Sequence, residues 1–448
     1  MRKPVFILFL FVVTVSLFAL ETGQLNGTQW RVTISGNTEL LLNLKMNGGR
    51  FALTSRKGST QDILGGKYLM ARMSGKVNPT TIQVIGTYHV DNDTVILTGK
   101  YSSLTSKQTF AGKIFDRQLE AVMSNNVMKG RIHDTGEALA DYAAIATEAL
   151  QVTELNLYNP LLLESKAWKA FRKKVADLAG RVKDDYEFEK AFNFQVSGLP
   201  FSHYGISIPI PEQPMSPTPL TTTLKAPSKF AIKQVNDQTV VFTVKTFSAS
   251  ADEIMPYIDT LKMLNPGNLI IDLRNNGGGT IASALPLVSY LVNDTLYGGI
   301  FLTRKYFSTH DNLPNTSDYQ HFPLFSEASF PLIIEGIHKH NGLCLVVYPD
   351  ADHYKGRVYI LANSKTASTC EPIVYGLKYN KRATIVGERT AGAMLNGERF
   401  ELPGKFNLWM PTADYYTVDG KKLDKIGVEP DFPVQSELAL DTTLELLK

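Results

Sequence analysis

The chain opens with an apolar run from Val5 to Leu20, preceded by Arg2 and Lys3 and followed at once by Glu21, Thr22, Gly23 and Gln24. A charged start, a hydrophobic middle and small residues such as Ser16 and Ala19 near its end form the pattern of a signal peptide over 1–20, with cleavage expected near residues 19–21. The run is shorter than the roughly 20 residues a membrane span needs, so no integral span is expected after cleavage. From 25 to 135 the pattern becomes short alternating runs: Trp30–Ile34, Leu40–Leu44, Thr81–Tyr88 and Thr94–Leu97, broken by turn signals such as Asn47-Gly48-Gly49. A period of two with frequent turns predicts a β-rich N-terminal domain over 21–136, a sandwich or a barrel. Ala138–Leu150 and Ser165–Phe192 then place apolar residues, among them Trp168, Phe171, Val175 and Leu178, at helical spacing, with Pro160 between the two segments. They predict a short helical subdomain over 137–196.

Between Ser197 and Pro227 stand Pro200, Pro209, Pro211, Pro214, Pro217, Pro219 and Pro227, a density that opposes regular structure. Phe201-Ser202-His203-Tyr204 lies in this loop. Beyond it, apolar runs of strand length (Val240–Val244, Leu269–Leu273, Val358–Ala362 and Ala383–Val386) alternate with helical segments at Thr280–Asn293 and Thr369–Tyr379. Such alternation predicts an α/β core with a mostly parallel, covered sheet over 197–448. The stretch near 296–354 reads as an insertion on that core, placed to shape a cleft.

Composition narrows the class. The 448 residues suffice for about two or three domains, and 44% hydrophobic with 20% charged residues fits a soluble globular protein. The formal charge of +3 falls to 3 − 2 = +1 once Arg2 and Lys3 are removed, which gives no electrostatic ground for nucleic acid or an anionic membrane as partner. Cys344 and Cys370 are the two cysteines, too few for a disulfide framework or a zinc site, and read as free buried thiols. His338, His340, Asp350, Asp352 and His353 match no metal-binding spacing and read as solvated surface.

Two strand–turn–helix junctions carry chemistry. At the first, Asn268–Asp272 runs through Leu273-Arg274-Asn275-Asn276 into Gly277-Gly278-Gly279 and a helix. Glycines there leave backbone N–H groups unshielded, and the helix N-terminus adds partial positive charge, so the turn can hold a phosphate or a developing oxyanion. It can equally be a tight turn and nothing more, and it stops short of a dinucleotide fingerprint. At the second, Tyr359–Ala362 runs through Asn363-Ser364-Lys365-Thr366-Ala367 to Ser368, Thr369 and a helix with Pro372 in its first turn. A serine at this place is either an exposed nucleophile or a helix N-cap. His203 is a loop histidine with the right intrinsic pKa for a base, and nothing in spacing alone gives it that role.

Taken together, these segments resemble the C-terminal processing, or tail-specific, serine peptidases. The resemblance rests on four motifs in order: Asp272-Leu-Arg-Asn-Asn-Gly-Gly-Gly279, the Ser368 turn followed by Glu371, Gly387-Glu388-Arg389-Thr390-Ala391-Gly392, and Gly427-Val428-Glu429-Pro430-Asp431. It covers roughly 195–435. It implies a ClpP/crotonase-like core, hydrolysis of peptide bonds in a protein or peptide substrate, Ser368 as nucleophile, and no metal or organic cofactor. Many members place a lysine base directly after Thr-x-Gly; here that position is Ala393, and Lys365 and Lys378 fall outside the motif. The branch similar to the tricorn core peptidase uses an upstream Ser-His pair and a late acidic residue. By that resemblance His203 is the general base, oriented by Ser202 and Asp424, and the N–H groups of Gly278 and Thr369 form the oxyanion hole. The interval between His203 and the core strands is too short for the PDZ domain common in tail-specific members. The expectation is thus an exported serine endopeptidase or carboxyl-end-processing peptidase, secreted or periplasmic. The alternatives are a non-catalytic ligand- or peptide-binding protein on the same fold, and an acyl-transfer enzyme of the crotonase type. A homo-oligomer stays open.

Overall fold

A computed structural model describes residues 23–34, 37–55, 82–102, 107–123, 126–133, 135–209 and 228–448. The expected signal peptide and the 210–227 part of the proline-rich loop lie outside the described residues. No helix among the described residues is long and apolar enough to cross a membrane.

The β-rich segment folds as a closed antiparallel barrel: β1 (Gln29–Ile34), β2 (Thr38–Asn47), β3 (Arg50–Ser55), β4 (Gln83–Asp91), β5 (Thr94–Ser102), β6 (Lys107–Phe115), β7 (Gln118–Met123) and β8 (Asn126–Ile132). Closure comes from β1 pairing with both β2 and β8, with Trp30 opposite Leu42 on one side and Ile132 on the other. Alternation does what its period dictates. Along β7, Leu119, Ala121 and Met123 point inward while Gln118, Glu120 and Val122 face out. Trp30, Leu53, Val84, Leu97, Phe110 and Met128 fill the interior.

Three helices follow, Tyr142–Asn156, Lys166–Ala179 and Asp185–Val196. The helical segment expected over Ser165–Phe192 is two helices. The first stops at Gly180, and Asp184 caps a new start by accepting from Glu187 N at 2.8 Å.

The α/β core holds two sheets. The first runs β10 (Phe230–Asn236), β11 (Thr239–Val244), β12 (Asn268–Asp272), β16 (Arg357–Ala362), β17 (Ala383–Gly387) and β20 (Phe432–Pro433); only β10 is antiparallel to its neighbour. Both faces are covered, so the strands read as continuous apolar runs. Val240, Phe242, Leu269, Ile271, Val358 and Ile360 pack under helices Ala251–Leu264, Ile281–Leu291 and Cys370–Tyr379. Val241, Ile270, Tyr359, Leu361 and Val386 pack against Ala439 of the last helix, Ala439–Leu446.

The second sheet was not foreseen. Its order is β14 (Leu324–Phe325), β15 (Gly342–Val347), β13 (Leu296–Thr303), β19 (Asn407–Tyr416) and β18 (Leu395–Glu401), with β9 (Gly205–Ser207) also on β19. Residues 296–354, expected as an insertion, supply three of its strands. β13 sits directly beside the late strand β19, with Ile300 opposite Tyr416.

The barrel is fastened to the helices and core through charge. Arg31 and Lys405 both bind the Glu39 carboxylate, and Lys405 also pairs with buried Asp185 at 2.8 Å. Asp185 accepts from Tyr142 Oη at 2.8 Å and Glu39 N at 3.0 Å, and Asp184 accepts from Leu41 N at 3.0 Å. Burial pushes the Glu39 carboxyl up, but hydrogen bonds from Arg31 and Lys405 outweigh it and hold it down at about 2. A depressed carboxylate contributes stability that is present above its unfolded pKa and lost as pH falls through the folded value. Lys405→Met strips a partner from two carboxylates. It is expected to cost roughly 2–4 kcal/mol in urea unfolding, since partial exposure softens a buried-pair loss. It should also move the acid-unfolding midpoint upward. An unchanged midpoint would show that the cation does not hold the barrel.

Candidate active site

β12 and β16 are parallel neighbours in register, Asp272 opposite Leu361. Their carboxyl ends therefore deliver the glycine turn and the Ser368 turn to the same place, where open α/β sheets bind ligands. Polar clasps fix both turns. Thr366 Oγ1 donates to Leu273 O at 2.8 Å, Ala367 N to Asn276 O at 3.0 Å, and Asn276 Nδ2 to Val244 O at 2.9 Å. Asn363 Oδ1 accepts from Asn275 N at 3.0 Å. Arg274 pairs with Asp272 and reaches Ser436 O.

Ser368 lies at φ +55°, in the left-handed region. Such a conformation costs a β-carbon residue roughly 1–3 kcal/mol and persists only where surroundings enforce it. Glu371 does much of the enforcing. Its carboxylate, fully buried, accepts from Ser368 N at 3.2 Å, Thr390 Oγ1 at 2.6 Å, Gly392 N at 2.8 Å and Ala393 N at 2.7 Å. Burial raises its pKa, and these donors oppose the rise. The helix Cys370–Tyr379 has Thr369 as its N-cap position, so Ser368 stands before the cap and its hydroxyl is not spent there.

That hydroxyl faces His203 instead: Ser368 Oγ is 3.3 Å from His203 Nε2, and Ser202 Oγ is 2.7 Å from Nδ1. His203 also has φ +55°. Asp424 does not touch the imidazole. Its Oδ2 accepts from Ser202 N at 3.1 Å and its Oδ1 from Met394 N at 3.2 Å. Burial lowers the His203 pKa below the ordinary 6.5; the Asp424 charge pushes it up and Lys425 pushes it down.

The helical layer holds this loop from behind. Phe201 and Tyr204, on either side of Ser202-His203, are buried among Trp168, Phe171 and Phe192. The Tyr204 ring stacks on Phe192 with centroids 6.0 Å apart, and its hydroxyl meets Thr153 Oγ1 at 2.8 Å. Of the two lysines outside the motif, Lys365 is exposed, and Lys378 binds Glu429 O and Asp431. Ala393 occupies the motif's lysine position.

The glycine turn approaches Ser368 closely. A Cβ on Gly278 (φ +94°) would sit 2.7 Å from Ser368 Cβ and 3.0 Å from Thr369 N. The Gly278 N–H, expected to face an oxyanion, donates to Asn276 Oδ1 at 2.9 Å. Among the described residues no acceptor takes the N–H of Gly279 or Thr369. Ser368, His203 and the glycine turn line one cleft of about 660 Å³.

Sequence reasoning passed over Glu371, Asn276 and Thr390 as organisers. Their signal was present: a glutamate three residues after Ser368, and a threonine inside a glycine motif, where a polar side chain has a backbone to satisfy.

Residues 238–434 match the model of peptidase family S41. The resemblance read from the four motifs is borne out by that match, which includes Ser368 and Asp424 and begins after Ser202 and His203. A carboxyl-terminal-processing protease of Picosynechococcus sp. (strain ATCC 27264 / PCC 7002 / PR-6) is 28% identical over 192 residues, 43% of this chain and 38% of that protein. The chloroplastic carboxyl-terminal-processing peptidase 2 of Arabidopsis thaliana is 25% identical over 197 residues, 44% of this chain and 32% of that one. The matched stretches thus span well under half of these relatives. The solved photosystem II D1 C-terminal processing protease aligns with 67% of this chain and 95% of its own at 15% identity, with a TM-score of 0.39.

Gly278→Ala is expected to lower catalysis on peptide substrates by about 100-fold or more, the scale of losing one pre-organised donor, because its methyl displaces the Ser368–Thr369 turn. Circular dichroism should remain that of the parent. Retained activity would show that the turn's close approach is not needed.

Proposed function

We propose that the protein is an exported serine peptidase in which Ser368 attacks the peptide carbonyl and His203 is the general base. The observation that carries this is the chain Ser202 Oγ–His203–Ser368 Oγ, at 2.7 Å and 3.3 Å. For Nε2 to accept the serine proton, Nδ1 must carry hydrogen and Ser202 Oγ must accept it. The proton moves from Ser368 Oγ to His203 Nε2 as the Oγ–carbon bond forms. It passes to the leaving amine as the peptide C–N bond breaks, and water repeats the sequence on the acyl-enzyme. The oxyanion meets the Thr369 N–H together with that of Gly279, or of Gly278 once Asn276 releases it. Asp424 is a positioning residue: it holds the Ser202 backbone and lends the imidazolium its field from one residue behind. The family match and the names of the relatives support peptidase chemistry, and the 1–20 pattern supports export.

A fluorophosphonate probe should label the wild type at Ser368 and leave Ser368→Ala unlabelled. His203→Ala should slow peptide cleavage on the order of 100–10,000-fold. A folded wild type that neither labels nor cleaves would favour the binding-protein alternative. N-terminal sequencing of the exported form should begin near residues 20–22.

The pH profile tests the base. Because burial lowers the His203 pKa, the acid limb of kcat/KM should have its midpoint below the ordinary 6.5, with activity retained above it as the neutral imidazole forms. Asp424→Asn removes a charge that raises that pKa, so the limb should move lower still while kcat falls. A limb unmoved by Asp424→Asn would disconnect Asp424 from the base.

A further inference from the structure

A second hollow lies apart from the cleft beside Ser368. Its volume is about 480 Å³, and it opens where β13 runs into the short helix Arg304–Phe307. No residue lines both hollow and cleft. Arg304 and Lys305 stand in its wall with Asn341, His338 and Thr412, and among the described residues no Asp or Glu does.

Both cations are answered by neutral oxygens. Arg304 Nη1 donates to Leu157 O at 2.7 Å and Nη2 to Glu154 O at 3.0 Å, at the end of the helix Tyr142–Asn156. The Glu154 carboxylate turns instead to Arg172, at 3.3 Å. Lys305 Nζ donates at 3.1 Å to the carbonyl of Lys339, the last residue of the helix Phe330–Lys339. A helix C-terminus carries about half a negative charge, so two of them offset roughly one of the two positive charges and leave the other. Burial lowers the Arg304 pKa, and no carboxylate opposes that. Glu398 stands behind the wall, its carboxylate taken by Thr412 Oγ1 and His338 Nε2. A half-buried guanidinium short of counter-charge is a cost that an entering anion removes.

Donors remain to receive one. The bonds above use two of the five N–H groups of the guanidinium and one of the three of the ammonium. Among the described residues the Asn341 amide has no partner, and it adds two more. The two cations reach to different helices, so they flank the hollow on separate sides.

We propose that this hollow binds a small polycarboxylate, with one carboxylate on Arg304 and another on Lys305 and Asn341. A planar guanidinium meets a carboxylate through two parallel hydrogen bonds. An anion with one charged centre reaches one cation and leaves the other unanswered, whereas two carboxylates joined by a short carbon chain meet both. The volume falls within the range of small-molecule sites.

Isothermal titration of the full chain with citrate, succinate and acetate tests this, at matched ionic strength so that general screening cancels. Citrate and succinate should bind at least about tenfold tighter than acetate, the gain from one further charge-assisted hydrogen bond. Lys305 is exposed and has a single carbonyl partner, so Lys305→Gln leaves the fold intact. It should raise the citrate Kd about tenfold. Arg304→Gln should abolish binding; because Arg304 also ties down the helix Tyr142–Asn156, the Lys305 variant decides the matter if that protein does not fold. Citrate binding no tighter than acetate, or a citrate Kd unmoved by Lys305→Gln, overturns the assignment. The readout involves no peptide cleavage, so either result leaves the reading of Ser368 and His203 untouched.

Discussion

The buried carboxylate of Glu371 is where the α/β core closes on itself. Its four donors come from three places in the chain: the Ser368 turn, Thr390, and the Gly392–Ala393 backbone. Thr390 passes the link on, accepting from Val428 N at 2.7 Å in the last motif. A buried carboxylate without partners is untenable, and buried N–H groups without acceptors cost roughly 1–3 kcal/mol each. Each side of the clasp therefore requires the other. The strained φ of Ser368 is affordable because this clasp and the Gly278 contact leave the turn no relaxed alternative.

Ser368 and His203 belong to different layers. Ser368 stands on the parallel sheet, whereas His203 hangs from an aromatic cluster in the helices and from β9 on the second sheet. Their 3.3 Å contact thus measures how the layers sit on one another. Asp424 ties the histidine loop to the second sheet, one oxygen on Ser202 N and the other on Met394 N at the foot of β18. The barrel's charged fastening at Lys405 lies in the β18–β19 turn, on the same sheet, so barrel and catalytic pair share a support.

Much of this was legible in the chain, and the failures have physical causes. Period-two alternation foretold the β-rich start and could not separate sandwich from barrel, because closure is a pairing between β1 and β8 nearly one hundred residues apart. The parallel strands were readable because covering on both faces makes them uniformly apolar. The second sheet was not, since β13 pairs with β19 far along the chain and local pattern holds no record of that. At the site, Ser368 and His203 came from motif order. The Asp424 contact differs from a triad acid's because it ends on backbone, and backbone has no letter in a sequence. Gly278 was assigned an oxyanion role that its N–H, bound to Asn276, does not now offer.

With His203 as the proposed base, an alanine at position 393 has an energetic logic. A lysine base must shed its proton near neutral pH, which means lowering its pKa by about three units from 10.4, or roughly 4 kcal/mol of desolvation built into the site. Histidine starts near the required value. At His203 the opposing influences of burial, Asp424 and Lys425 need only trim it. The demand shifts from desolvation to orientation, since an imidazole works only with the right tautomer and aim. Ser202 supplies the first through Nδ1, and the Phe201–Tyr204 anchor supplies the second. With the proposed base on another layer, position 393 keeps its backbone duty to Glu371. A small apolar residue serves there without adding a charge to a cleft that, among the described residues, is lined by none.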